Sequence, residues 1–185
     1  MSSFLKQGEF SGGAIIEIRE ELPQDIPAIR KVNELAFGQP IEADIVDRLR
    51  ENCPGHVSLV AVEEGQLVGH IFFSPVTLDI HGRVIEGMGL APMAVLPERQ
   101  GRGIGSALVR KGLEVLRERN CPFVIVLGQT GYYPRFGFER ASKYGIACQW
   151  ENVPDEAFMV LILNWVAMEG ARGVARYREE FNETS

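Results

Sequence analysis

Few cysteines, no excess of basic residues and no long hydrophobic run mark this chain of 185 residues. The three cysteines (Cys53, Cys121, Cys148) are odd in number, far apart and form no C-x-x-C pair. That pattern speaks against a disulfide framework and a structural zinc site, and idle thiols in a reducing compartment are expected. Acidic residues outnumber Lys and Arg by 25 to 19, for a net charge of −6. Duplex-binding proteins carry a basic footprint, so no nucleic acid is expected as the main partner; a cationic small molecule or Lys-rich peptide stays open. No apolar stretch approaches the ~20 residues of a membrane span. The opening MSSFLKQGEFSGG has no apolar centre of a signal peptide. No membrane contact and a cytoplasmic location are the resulting expectations. His56, His70 and His81 are scattered without metal-ligand spacing, and no metal is expected.

What is present fits one globular domain with a sizeable core: 45% apolar and 24% charged residues, with no internal repeat and no linker. Residues 1–13 read as a loose tail, 14–165 as the single domain and 166–185 as a charged C-terminal extension. Alternation predicts a first strand over Ala14–Arg19. A helix follows from Pro23, with Ile26, Ile29, Val32 and Leu35-Ala36 on its apolar face, and a second covers about Glu42–Asn52. Val57–Val62 and Leu67–Phe73 form a hairpin that Pro75 interrupts, and Val76–Ile80 is a further extended piece. A long strand covers about Val84–Val95, with Gly87, Gly89 and Pro92 inside it; such residues mark a bulge or a close approach to the backbone. A helix from the glycine-rich turn to about Arg119 carries Ile104, Ala107, Leu108, Val115 and Leu116 on its apolar face. The continuous run Phe123–Leu127 reads as a strand buried on both sides. Together these last three elements make a parallel βαβ unit. Gly131–Gly137 is a short turn-rich or helical piece, Phe138 begins another extended segment, and Glu156–Leu163 is the last long strand.

The chain is organised around Leu90–Leu108, LAPMAVLPERQGRGIGSAL. Gly101, Gly103 and Gly105 lie where a turn meets a helix start. Glycine allows positive φ and close backbone approach, and a helix start offers unpaired N–H groups that suit an anion such as a pyrophosphate. Arg99 and Arg102 add positive charge. A Walker loop fails, because no Lys-Ser or Lys-Thr follows Gly101. A dinucleotide fingerprint is matched poorly: Ser106 stands at the third glycine position, and Gly128-Gln129 stands where an acidic residue should end the next strand. The third pattern, Q-x-x-G-x-G, is filled by Gln100, Gly103 and Gly105.

That motif between strand and helix, with Tyr132-Tyr133-Pro-Arg-Phe-Gly-Phe138 downstream, resembles the GNAT superfamily of acyl-CoA-dependent N-acetyltransferases. Leu90–Val95 and the Pro-Asp-Glu-Ala-Phe-Met stretch at 154–159 are similar to a bacterial subgroup of unassigned substrate. The resemblance covers roughly residues 14–165. It implies a mixed α/β (α+β) GNAT fold: a central, mostly antiparallel sheet of about six to seven strands, a splayed parallel pair made by strands 84–95 and 123–127, and about four flanking helices.

The resemblance also implies acetyl-CoA (coenzyme A after transfer) as co-substrate and a primary amine of a small molecule or peptide as acceptor. Backbone of Met93, Ala94 and Val95 would pair with the pantetheine arm. Gln100, Gly101, Arg102, Gly103, Ile104, Gly105 and Ser106 would hold the pyrophosphate. A backbone N–H near Val95 would polarise the thioester carbonyl. Tyr133, a phenol that donates a hydrogen bond at neutral pH, is the candidate acid for the departing thiolate; Tyr132 reads as packing. Some relatives carry a Glu on the strand at the position that Gly89 holds here, so Glu86, three residues earlier, is the candidate base beside a water relay or an amine that arrives deprotonated. Gln129-Thr130 approximates an Asn that meets the pantetheine arm in many relatives, and Arg135 reads as solvated or salt-bridged. The acceptor side falls to the helices within Pro23–Asn52, the 73–83 segment and the region around 139–157; Glu42, Asp44 and Asp47 there suit an amine or are simply solvated. A non-catalytic acyl-CoA sensor is the alternative reading. Homodimers are common in the family, and no stretch of this chain demands one.

Overall fold

The computed structural model describes residues 15–80 and 82–182. The expected tail at 1–13 and His81 lie outside the described residues. The elements in order are β1 (Ile16–Glu20), α1 (Ile26–Phe37), α2 (Ile41–Asn52), β2 (Val57–Glu63), β3 (Gln66–Ile80), β4 (Arg83–Val95), α3 (Ile104–Glu118), β5 (Phe123–Leu127), β6 (Glu139–Arg140), β7 (Ile146–Cys148), β8 (Phe158–Ile162) and β9 (Gly173–Arg176). The strands form one mixed sheet in the order β1-β2-β3-β4-β5-β8-β6, with β9 joining β3 and β7.

The described residues hold nine strands rather than six to seven, and three α-helices rather than four. The Gly131–Gly137 piece is a 3-10 turn over Tyr133–Phe136, which Gly137 ends at φ 94. Pro75 does not interrupt β3, which runs through it unbroken. The last rung to β2 is at Phe73 and the first to β9 at Thr77. Among the described residues the strand at Pro75 therefore has β4 as its only neighbour, where a missing N–H is tolerated. The segment read as an extension contributes β9 to the sheet, a strand that sequence periodicity did not mark.

Successive residues of a strand face opposite sides. Phe73 points toward α3, where its ring occupies the space a Cβ on Gly112 would need, 2.4 Å away. Phe72 points to the other face and packs with Ile29, Val46 and Leu49 from α1 and α2. On α1 the buried positions are Ile29, Val32 and Asn33, while Leu35, expected inside, is 48% exposed. The buried Asn33 belongs to a polar chain. Its Nδ2 donates to Ile29 O (2.9 Å) and to His70 Nδ1 (3.0 Å). His70 Nε2 therefore carries the proton and donates to Ser58 Oγ at 3.0 Å. Ser58 in turn donates to the Glu21 carboxylate, which Arg50 also pairs. Complete burial, with Arg50 adding to it, lowers His70 to about 3 and keeps it neutral. The chain clamps both N-terminal helices onto the sheet through satisfied hydrogen bonds.

Candidate functional site at the fork between β4 and β5

The parallel pairing of β4 with β5 is short: its rungs are Met88↔Val124 and Gly89↔Ile125. Beyond Gly89 the strands separate. A bulge sits just past this point, since Ile71↔Met93 and Phe73↔Leu90 leave one extra β4 residue at Ala91–Pro92. The bulge was expected at Gly87 or Gly89. It leaves the outer part of β4 without a partner on its β5 side.

Leu96 N–H donates to Val68 O at 2.9 Å, on the β3 side. Strand alternation then turns the N–H and C=O of Val95, and of Met93 two residues before it, toward the fork. The Val95 carbonyl accepts from Gln100 Nε2 at 3.0 Å, which ties the following loop to the strand end. Gly101 (φ 74) and Gly103 (φ 82) are left-handed, and Gly103 is the residue from which α3 starts. The first helical bond of α3 runs from Ala107 N–H to Gly103 O at 3.0 Å. The amides of Ile104, Gly105 and Ser106 therefore have no partner within the helix and face outward at its positive end. Gly105 is needed for space as well: a Cβ there would lie 2.9 Å from Tyr132 Oη.

Strand edge, loop and helix start surround a cavity of about 430 Å³. Met93, Val95, Gln100, Gly101, Gly103, Ile104, Gly105 and Ser106 line it, joined by Tyr133 from the far side. Gly128, Gln129, Tyr132, Arg99 and Arg135 complete the wall. Two expected residues stand apart. Ala94 is buried in the core beneath, and Arg102 turns to Glu63 Oε1 at 3.4 Å. Arg99 meets the other Glu63 oxygen at 3.0 Å. Glu63, which the sequence reading passed over, pins the loop to the β2–β3 hairpin; an acid at the hairpin tip beside an Arg-rich loop is the only signal it leaves.

Tyr133 is 8% exposed and stands edge-on to Tyr132 and Phe138. Its ring takes the space of a Gly128 Cβ, which would lie 2.3 Å from it. Burial, with Tyr132 adding to it, pushes its phenol up to about 12, so it stays protonated at neutral pH. Tyr132 packs, as read, yet it also reaches Ser106 Oγ with its hydroxyl at 3.3 Å. Arg135 is exposed, as read, and lies over the Tyr132 ring, 4.3 Å from its centre.

Glu86 is exposed on β4 opposite Thr77 and is not part of the cavity wall. The position of interest is Gly89. A Cβ there would lie 2.8 Å from the Tyr177 ring and 2.9 Å from Val76, so a larger residue has no room. Tyr177 comes from just after β9 and is flanked by Trp150 and Phe181, with ring centres 4.8 and 5.5 Å away. Of the acidic residues on α2, Asp44 and Asp47 are already paired with Arg30, both at 2.7 Å, and Glu42 accepts from Gln39. Cys53, Cys121 and Cys148 are free, and burial pushes the Cys121 thiol up to about 11. Among the described residues no three His, Cys, Asp or Glu side chains cluster as metal ligands, and no helix is long and apolar enough to cross a membrane.

Residues 17–141 match the family model described as an acetyltransferase (GNAT) domain. The chain is 38% identical over 166 residues to the uncharacterized N-acetyltransferase YhbS of Escherichia coli (strain K12), covering 89% of this chain and 98% of the relative. The crystal structure of Escherichia coli YhbS in complex with CoA superimposes with a TM-score of 0.85 at 35% identity, over 96% of this chain and 98% of that one. A GNAT family acetyltransferase from Brucella melitensis, solved in complex with acetyl-CoA, matches with a TM-score of 0.72 at 37% identity, over 90% of this chain and 97% of that one.

Proposed function

The chain belongs to the GNAT acetyltransferase family, and from that premise we propose that it moves the acetyl group of acetyl-CoA to a primary amine of a small molecule or peptide. The observation that carries this reading is the open fork with three unpaired amides at the start of α3. In it the Ile104, Gly105 and Ser106 amides take the pyrophosphate. The pantetheine arm lies along the free β4 edge at Met93 and Val95, in the manner of an added strand. The Val95 N–H polarises the thioester carbonyl as the amine attacks from the face opposite α3. The phenol of Tyr133 gives its proton to the departing sulfur. The likeness to proteins solved with CoA and with acetyl-CoA supports the choice of co-substrate. Glu86 has no part in this reading, because it lies outside the cavity.

A second reading is a sensor that binds acyl-CoA without turnover. It is favoured by the Tyr177 ring that fills the space over Gly89, where a strand carboxylate would have served as base. Two measurements decide between them. In thermal unfolding, acetyl-CoA and CoA are expected to raise the midpoint, since a ligand at 100 times its Kd adds about 2.7 kcal/mol, while NAD has no effect. A panel of polyamines, aminoglycosides, amino acids and peptide N-termini is then scored for CoA release. Binding without release by any amine supports the sensor. A Gly103→Leu variant that still binds CoA overturns the helix-start site in both readings.

A further inference from the structure

Two buried hydroxyls at the apex of the fork have no partner among the described residues, Ser74 Oγ and Tyr177 Oη. Ser74 is fully buried and Tyr177 is 8% exposed. Both adjoin Gly89. Ser74 is its cross-strand partner on β3, and such partners project to the same sheet face. Tyr177 covers that face of Gly89 at 2.8 Å from the Cβ position. Leaving a buried hydroxyl unpaired costs about 1–3 kcal/mol, and buried polar atoms in natural proteins are nearly always satisfied by protein or water. The Tyr177 ring is held on purpose-built contacts: its backbone N–H donates to Gln149 Oε1 at 2.8 Å, and the adjacent Arg178 pairs with Glu180 at 2.8 Å. Gly89 marks the last rung before β4 and β5 part, so these hydroxyls sit where the amine side of the fork begins.

We infer that Ser74 and Tyr177 are positioning residues that hold a buried water at the fork apex, and that this water and the two hydroxyls return the amine's proton to Tyr133. The inference rests on the acid role read for Tyr133. As the C–N bond forms and the C–S bond breaks, Tyr133 gives its proton to the CoA sulfur. The amine gives one proton to the water, the water passes one of its own along the hydroxyl chain, and the chain returns a proton to the Tyr133 oxygen. The sum is a free amine and a thioester converted to an amide and a thiol, with no proton gained or lost by the protein. Tyr133 and, on β7, Cys148 are the titratable groups that act on the Tyr177 phenol, and both are uncharged at neutral pH. With no carboxylate at Gly89 to take a proton from an ammonium ion, the acceptor reacts as the free amine.

A high-resolution crystal structure of the CoA complex tests the water without any turnover. Density within hydrogen-bond distance of both Ser74 Oγ and Tyr177 Oη is expected; a dry apex overturns the inference. With an amine from the acceptor panel, Tyr177→Phe and Ser74→Ala are each expected to lower kcat by about 100-fold, the low end for loss of a proton-transfer group, while the KM for acetyl-CoA and the melting temperature hold. Ser74→Thr, which keeps the hydroxyl, restores turnover, and the wild-type pH profile shifts with the pKa of the amine used. Unchanged kcat in both hydroxyl-deleting variants sinks the inference even if the water is present. Unchanged kcat in Tyr133→Phe overturns the acid role instead, and the crystal structure still decides the water.

Discussion

His70 and Ser74 stand four residues apart on the same face of β3, in equally dry surroundings. Around His70 every polar hydrogen finds an acceptor, from Asn33 through Ser58 to Glu21, and only Asn33 Oδ1 at the far end is left over. Around Ser74 neither hydroxyl finds a protein partner. Both regions cost desolvation, but only the first recovers it within the chain. A polar chain closed on itself fixes helices to a sheet; a pair left open next to a cavity suits a group from outside the chain.

The largest expected effect tests the open side. Tyr133→Phe should lower kcat by about 10²- to 10⁴-fold with the KM for acetyl-CoA unchanged, the range for loss of a positioned acid. Steady-state kinetics at saturating amine checks it, and a variant with normal kcat would remove the acid role from Tyr133.

The closed side is expected to respond to pH. His70 has a folded pKa of about 3 against its ordinary 6.5, so between these values the unfolded chain binds a proton that the folded one refuses. Stability should therefore fall by about 1.4 kcal/mol for each pH unit lost inside that window, and be unaffected by His70 above it. Urea unfolding from pH 7 to 5 reads this slope, and His70→Gln should flatten it.

Ser58→Ala and Ser74→Ala make the sharpest pair. Removing Ser58 Oγ strands the buried His70 N–H, while both Glu21 oxygens keep Arg50, at an expected cost of about 1–3 kcal/mol. Removing Ser74 Oγ breaks no bond to the described residues and should cost clearly less, because no buried donor or acceptor of the protein is left stranded. Equal losses in chemical denaturation would show that the contrast between the two regions is not real.

The contrast also separates what the sequence reveals from what it hides. The fork's cradle is legible because it is local: Gln100, Gly101 and Gly103 act within a few residues of Val95 and α3, and glycines at left-handed positions leave a readable pattern. Tyr133 is legible through its place after the buried β5 run. Tyr177 is not, because only the pairing of the four-residue β9 with β3 brings it to Gly89, and a strand that short has no periodicity to detect. The same limit explains Glu63, whose two arginine partners lie across a hairpin, and the polar Asn33, whose burial depends on a histidine from another element. Pro75 misled because its effect depends on which neighbours a strand has at that residue.

The grip of Glu63 on Arg99 and Arg102 has an ionic consequence. Arg99 and Arg102 share the single carboxylate of Glu63, so one of their two positive charges is offset before a negative ligand arrives. In the proposed CoA site much of the grip on the pyrophosphate then falls to fixed amide dipoles at contact distance, well inside the ~8–10 Å over which ordinary buffers screen charge. CoA affinity should therefore fall less steeply as salt rises, and a ligand of the same shape with less charge should be tolerated better, than at a site built on free arginines.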